Sequence, residues 1–458
     1  MSGLMSSLQT ANSALQAFST ALGVESTNVS NSATPGYAAL RASISPIGYG
    51  GISTGSDSVT ISSTGNARAD ALVQASSSQA GWSSTQVSQL TPLNANFDIT
   101  GNSGILAAFQ RFSSAYANVA ANPSNQALQN LALQAAGSVA SAFQSAATSL
   151  GSAQAQANAD VKNTVSQINS LAGEIQQINA GVTSPNASNG ASETQLRNAL
   201  DQLSSLVDIT VQQNPNGTVN VLAGGQIPLV SGVQSFPLSL STSSSGNQIT
   251  APGWSGSTAN FGGQLGALLQ VTNTTIPSIL GSSTQQGSLN TLAQSFADSV
   301  NSLFTSGQTA SGSPGVPLFT YDPSNGGANV AGSLAVDPTV TTSQLALGTS
   351  TQSNGVANAL AQLAGTTNPT QQIGGLSPQE YFAQMAAGIG QQLSSASSQS
   401  SVDQTNLTSA QTARQQQSGV SLDTEAISIT ADQRAYEASA QLVSIINRLT
   451  EEEVQILK

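Results

Sequence analysis

Gly51-Ile-Ser-Thr-Gly55 has the G-x-S-x-G spacing that lifts a nucleophilic serine onto a sharp strand-to-helix turn in hydrolases. Attack by that hydroxyl needs a general base to take its proton, normally an imidazole. This chain contains neither His nor Cys. Lys162 and Lys458 are the only lysines that a Ser-Lys dyad could use, one inside a helical stripe and one at the last position. Two carboxylates suffice for glycoside hydrolysis, and Asp201 with Asp208, or Asp322 with Asp337, are the pairs on offer. None of these spacings is diagnostic, and carboxylates in loops are ordinarily solvated. Gly262-Gly-Gln-Leu-Gly266 is not followed by Lys-Ser/Thr, so it is no phosphate-binding loop. Without His or Cys, structural zinc, thiol catalysis and imidazole catalysis are excluded. The reading is therefore non-enzymatic, with no catalytic, cofactor-binding or metal-binding residue expected.

Composition points the same way. Charged residues are 7% of 458, against roughly 25% in ordinary soluble proteins. Ser, Thr, Gln, Asn and Ala fill their place, giving neutral surfaces that repel one another weakly and favour self-association. Net charge is -12, and no Lys or Arg lies between Arg197 and Arg414. Nucleic acid is an unsuitable partner, since phosphate binding needs clustered cations. No apolar run approaches the roughly 20 residues of a membrane span. The N-terminus carries no secretory signal, its first basic residue being Arg41. Ordinary routes would leave the protein in the cytoplasm, and only a dedicated exporter would carry it out.

The elements that would position any site are mainly helical. Leu4, Leu8, Ala11, Leu15, Phe18, Leu22 and Val29 form an apolar heptad, broken at Glu25. Leu422, Ile429, Tyr436, Val443 and Leu457 step by seven at the other end, with Thr450 in the gap. Such steps mark helices that bury a narrow seam. The pair can close within one chain or dock on neighbouring subunits, and the pattern alone leaves both open. Seams this thin bury little, so the ends are expected to be largely unstructured until assembly. Weak alternation over 41–65 predicts short strands or an extended loop. Four helical stripes follow: Ile105 to Val119, Leu128 to Leu150, Val161 to Ile175 and Leu196 to Val207. Asn122-Pro123 separates the first two. The period switches to two at Val207, Ile209 and Val211, and Asn214-Pro-Asn-Gly217 turns the chain into Val219 and Val221, a hairpin signal. Phe236, Leu238 and Leu240 read as a further strand. Leu289 to Leu303 is helical, and Leu318–Tyr321 and Leu334–Val336 read as short strands. Ser377-Pro-Gln-Glu380 predicts a capped helix start. The Ser/Gln/Thr/Ala run 391–418 fits either disorder or a polar helix lying on others. Glu451 to Glu453 read as a solvated face.

Two stretches resemble a known family. Asn28-Val-Ser-Asn-Ser-Ala-Thr-Pro-Gly-Tyr37 resembles the N-N-I-A-N-A-x-T-P-G-Y motif of the axial proteins of the bacterial flagellum, through Asn28, Asn31, Ala33, Thr34, Pro35, Gly36 and Tyr37; Thr27 and Ser30 depart from it. Ser418-Gly-Val-Ser-Leu-Asp423 and Gln433-Arg-Ala-Tyr-Glu-Ala-Ser-Ala440 resemble their C-terminal motif. Ala121-Asn-Pro-Ser-Asn125, Leu196 to Val207, Gly263-Gln-Leu-Gly-Ala-Leu-Leu269 and Asn354 to Leu363 narrow the likeness to the hook-associated family of the hook–filament junction. An Arg common after the family's N-P-x-D turn is absent over Gln126 to Leu131.

The resemblance implies a mainly α fold with a β-rich outer part. A terminal coiled coil would comprise 1–40 with 415–458. An elongated helical rod domain would comprise 41–205 with 258–310 and 352–414. Smaller β-hairpin-containing insertions would occupy 206–257 and 311–351. It implies a structural junction between hook and filament, in a homo-oligomeric ring that touches the hook protein and a second junction protein on the filament side. Export would leave the chain uncleaved, with a chaperone on the C-terminal helix. Another axial component of hook or distal rod is the nearest alternative. A secreted adhesin or carboxylate hydrolase is the alternative from another class.

Overall fold

The computed structural model describes residues 2–49, 52–97, 99–182, 189–243, 246–254, 261–283 and 285–456. Helix α1 (Ser2–Ser30) turns into an antiparallel ribbon of β1 (Leu40–Tyr49) and β2 (Ile52–Ser63). Ser53 thus lies in a strand, where no nucleophile elbow forms; Gly51 lies outside the described residues.

Four helices follow: α2 (Ala67–Ala95), α3 (Gly104–Ala121), α4 (Gln126–Val182) and α5 (Asn189–Leu206). The expected break at Asn122-Pro123 separates α3 from α4. The stripes at 128–150 and 161–175 belong to one helix of 57 residues, about 85 Å long. Buried Ala157 carries the face across the gap between them.

Next, β3 (Ile209–Gln213), β4 (Val219–Ala223), β5 (Ile227–Ser231) and β6 (Gln234–Ser235) form an antiparallel sheet in chain order. β7 (Ser239–Ser243) pairs with β8 (Gly246–Thr250). The β3–β4 turn needs Gly217, whose φ is +83°. The chain then forms α6 (Gly263–Gln270), a π-helical turn at Val271–Thr275, α7 (Ile276–Leu280) and α8 (Ser288–Thr305). β9 (Phe319–Thr320), α9 (Val330–Ser333), β10 (Ala335–Val336) and α10 (Gly355–Gln362) are short. Two long helices close the chain, α11 (Pro378–Ser418) and α12 (Leu422–Ile456). Ser377 and Glu380 form the expected capping box at the start of α11, with the Ser377 amide donating to Glu380 Oε2 at 2.9 Å.

Two cores hold these elements. Aromatics converge in the first, where Phe109 and Phe296 stack with ring centroids 4.8 Å apart and Phe112 meets Tyr116 at 4.5 Å. The N-terminal half of α4, α3, α8, α10 and the start of α11 surround them. Residues 311–351, expected as an outer β-rich segment, supply Leu318, Phe319, Val330 and Leu334 to this same core. The second core packs the C-terminal half of α4 and α5 against Val221, Ile227 and Leu229 of the sheet and Leu265 and Leu268 of α6.

Asparagine does the latching that charges do elsewhere. The Asn169 amide donates to Leu238 O at 2.9 Å and accepts from Leu238 N at 2.7 Å. Asn179 does the same with Val219, and Asn273 with Asn247. A carboxamide carries one peptide-like donor and acceptor, so each latch reproduces a ladder pair without an ionised group. The polar run 391–418 is helical. It packs along α2, which buries Gln74, Ser76, Ser77, Ser78 and Ser83 among α11, α5 and α6. Short side chains let the two backbones approach and lose little rotamer freedom.

Candidate assembly interface

The terminal helices α1 and α12 pack on each other within the chain. Their seam differs in phase from the heptads. Ala11, Ala17, Ala21, Val24, Glu25 and Asn28 are the buried residues of α1, while Leu4, Leu8, Leu15, Phe18 and Leu22 are half-buried and Val29 is exposed. On α12, Ile446 is buried, Ile429 and Val443 are half-buried, and Leu422 and Tyr436 are exposed. Leu457 lies outside the described residues. Large apolar residues that read as one seam thus flank a seam of small ones. The outer face of α12 carries Ile427, Leu442, Ile445 and Leu449, which are 72%, 48%, 46% and 48% exposed. The heptad reading passed over this second stripe, although its three-four spacing at 442, 445 and 449 is legible.

At the inner end of the pair, the Asn28 carboxamide joins three passes of the chain. Its Oδ1 accepts from the Tyr37 hydroxyl at 2.8 Å and from Leu40 N at 2.9 Å. Its Nδ2 donates to Leu40 O at 2.8 Å and to Glu425 Oε2 at 3.1 Å. Burial first, then the Glu425 charge, raises the Tyr37 phenol above its ordinary value. Asn31 donates to Thr27 O at 2.9 Å and accepts from the Thr34 hydroxyl at 3.3 Å, so it caps α1. Gly36 takes φ +74° where a Cβ would run into Asn198, and Pro35 stands exposed on the same turn. The motif Asn28, Asn31, Thr34, Pro35, Gly36 and Tyr37 therefore turns the helix into β1 and fastens both to α12. Ser418 O completes the crossing, accepting from Ala39 N at 2.8 Å and the Thr64 hydroxyl at 2.9 Å.

Three carboxylates meet on the seam beside this node. Glu25 faces Asp432 and Glu425, and burial, the Asp432 charge and bond, and the Glu425 charge push its carboxyl up to about 7. Its Oε2 is buried without a hydrogen-bond partner.

A second ionic cluster ties α2, α5 and α11. Arg414 grips Asp201 with both terminal nitrogens, at 3.1 and 2.7 Å, and approaches Asp70 at 3.5 Å. Arg197 pairs with Asp70 at 3.2 Å and with Glu193. Burial raises the Asp201 carboxyl, against the pull of Arg414. Burial works to lower the Arg414 guanidinium, yet its bonds and attraction to Asp201 leave it raised.

Of the other carboxylates named for hydrolysis, Asp208 is exposed between α5 and β3, and Asp322 and Asp337 are turn acceptors. Asp322 accepts from Ser324 N at 2.9 Å and Asp337 from Thr339 N at 2.8 Å. Those bonds hold both below the ordinary range, the wrong direction for a general acid. Lys162 is exposed on α4. Among the described residues no group of three or more carboxylates is placed to hold a metal ion, and no helix is long and apolar enough to cross a membrane.

Comparison with known proteins places these features in a family. Residues 90–319 match the model of the flagellar hook-associated protein FlgK helical domain. The chain is 25% identical over 505 aligned positions to flagellar hook-associated protein 1 of Bacillus subtilis, covering 98% of this chain and 97% of that one. It shares its fold with the flagellar hook junction protein FlgK of Burkholderia pseudomallei, with a TM-score of 0.64 at 17% identity, over 75% of this chain and 99% of the other.

Proposed function

This chain belongs to the FlgK family of flagellar hook-associated proteins, and from that membership we propose how its geometry serves the flagellum. It is a structural component of the hook–filament junction. The observation that carries the mechanism is the double-faced α12. One face pairs with α1 and is fastened at Asn28, and the other presents Ile427, Leu442, Ile445 and Leu449, left exposed among the described residues. A helix apolar on both sides satisfies one side internally and leaves the other for neighbours.

Residues 1–40 with 415–458 then form the inner layer, and the two cores surround it. The partners are further copies in a ring, hook protein below and a second junction protein above. The same outer stripe of α12 would be covered by a chaperone before export, and the chain would leave the cell uncleaved. Leu4, Leu8, Leu15, Phe18 and Leu22, half-buried in the single chain, complete their burial in that ring.

Deleting the gene tests this reading. Bare hooks with flagellin shed into the medium support it. Normal filaments overturn it, and missing hooks move the chain to the hook or rod.

A further inference from the structure

On the reading that copies assemble through their terminal helices, we infer that the Glu25–Asp432–Glu425 cluster is the acceptor for an outward-facing arginine, Arg434 or Arg448, of a neighbouring copy. Glu25 is 8% exposed and its Oε2 has no partner, while half-buried Asp432 and Glu425 form the open lip of the cluster. The groups packed around it offer no cation. α1 carries no Lys or Arg, neutral Asn28 donates to Glu425 and to Leu40 O, Tyr37 is bonded to Asn28, and Arg41 on β1 is exposed. Elsewhere half-buried Asp70, Asp201 and Glu193 are matched within the chain by Arg197 and Arg414, and buried Asp403 accepts from the Gln399 amide at 2.8 Å.

The missing cations are on the back of the same helix. Arg434 and Arg448 are exposed on α12 and, among the described residues, make no ion pair. Arg434 lies two residues past Asp432, a rotation of roughly 200°, so it cannot reach its own cluster. Arg448 follows two heptads later on the same face. An acceptor on one side of a helix pair and its donor on the other define a head-to-tail contact, the kind that repeats from copy to copy until a ring or helix closes. A guanidinium suits clustered carboxylates because its planar fork meets two oxygens at once. In the separate chain the cluster is relieved by a proton, consistent with Glu25 standing near 7. A docked guanidinium would hold it ionised.

The test counts the chain in isolated hook–filament assemblies against the chain released to the medium. Asp432→Arg should shift at least about tenfold of the protein to the medium, through repulsion of the neighbour's arginine. Combining it with Arg434→Glu or with Arg448→Glu should restore incorporation in one of the two pairings and so identify the donor. Glu25→Gln should weaken incorporation at neutral pH. Normal incorporation of Asp432→Arg overturns the inference, as does rescue by neither pairing. Glu25→Gln and Asp432→Asn both incorporating like wild type also overturn it, since the cluster then holds only a proton. Wild-type protein absent from the assemblies removes the functional reading as well.

Discussion

The Tyr37 hydroxyl donates to Asn28 Oδ1 at 2.8 Å, across the turn that joins α1 to β1. That oxygen also takes the Leu40 amide, and the same side chain's nitrogen reaches Leu40 O and Glu425. One uncharged side chain thus sets the angle at which the N-terminal helix leaves the body and fixes where the C-terminal helix lies against it.

Asn28→Ala should loosen this node more than Tyr37→Phe. The first leaves the Tyr37 hydroxyl and both polar groups of Leu40 without that partner, about 2–4 kcal/mol locally, and the second removes one bond, about 1 kcal/mol. Limited proteolysis between residues 25 and 40 reads the difference. Equal cleavage of the two variants would show that the carboxamide is not the hub.

Arg414→Ala should cost about 2–4 kcal/mol by stranding half-buried Asp201. Arg414→Lys should not recover it, because a lysine cannot repeat the bidentate grip at 3.1 and 2.7 Å. Arg414→Met with Asp201→Leu should recover most of it. Denaturant midpoints of the body decide, and a full rescue by lysine would refute the bidentate account.

Pairing of α1 with α12 should weaken as pH rises. Glu25 titrates near 7 when paired, against 4.5 ordinarily, so its proton is held more tightly in the paired state. Its contribution is full below about 4.5 and is lost as pH rises through about 7. Glu25→Gln should flatten that dependence. The chain has no cysteine, so thiol labels on a double variant carrying Ser26→Cys and Ala431→Cys would report the helix separation. An unchanged separation from pH 5 to 8.5 would dismiss the effect.

Ile445→Asp with Leu449→Asp should leave the cores folded and abolish incorporation, because both side chains face outward. Leu15→Asp and Val443→Asp should also block incorporation, and Val443→Asp should unpair the helices too. Incorporation at wild-type levels would remove the outer stripe from the interface.

Removing 1–40 and 415–458 should leave a folded body. In the separate chain the lost ends should account for less helicity than fully formed α1 and α12 would supply, since an Ala-rich seam buries little. Circular dichroism of the two forms measures this, and a loss equal to two complete helices would contradict it.

Where local chemistry decides, the sequence was readable. Ser377-Pro-Gln-Glu380 specified its cap, and Asn214 to Gly217 its turn. Where packing decides, it was not. The Leu128–Leu150 and Val161–Ile175 stripes looked separate because Gly151 to Ala157 hold only small or polar residues, yet Ala157 is fully buried on the same face. The run 391–418 of α11, which packs along α2, is almost all Ser, Gln, Thr and Ala, which carry no periodic signal. The terminal seam was misphased for a related reason. Large apolar residues draw the eye to Leu15 and Phe18, while close approach is made by Ala17, Ala21 and Asn28.

Helix α4 passes through both cores without interruption, so they share a shaft rather than a hinge. Torque applied to one core must travel through a series of backbone hydrogen bonds to reach the other, and neither can swivel alone. α1 and α12 join the body at the crossing around Asn28, through a turn and a handful of polar bonds. Load passed between the body and the terminal helices therefore converges on that crossing.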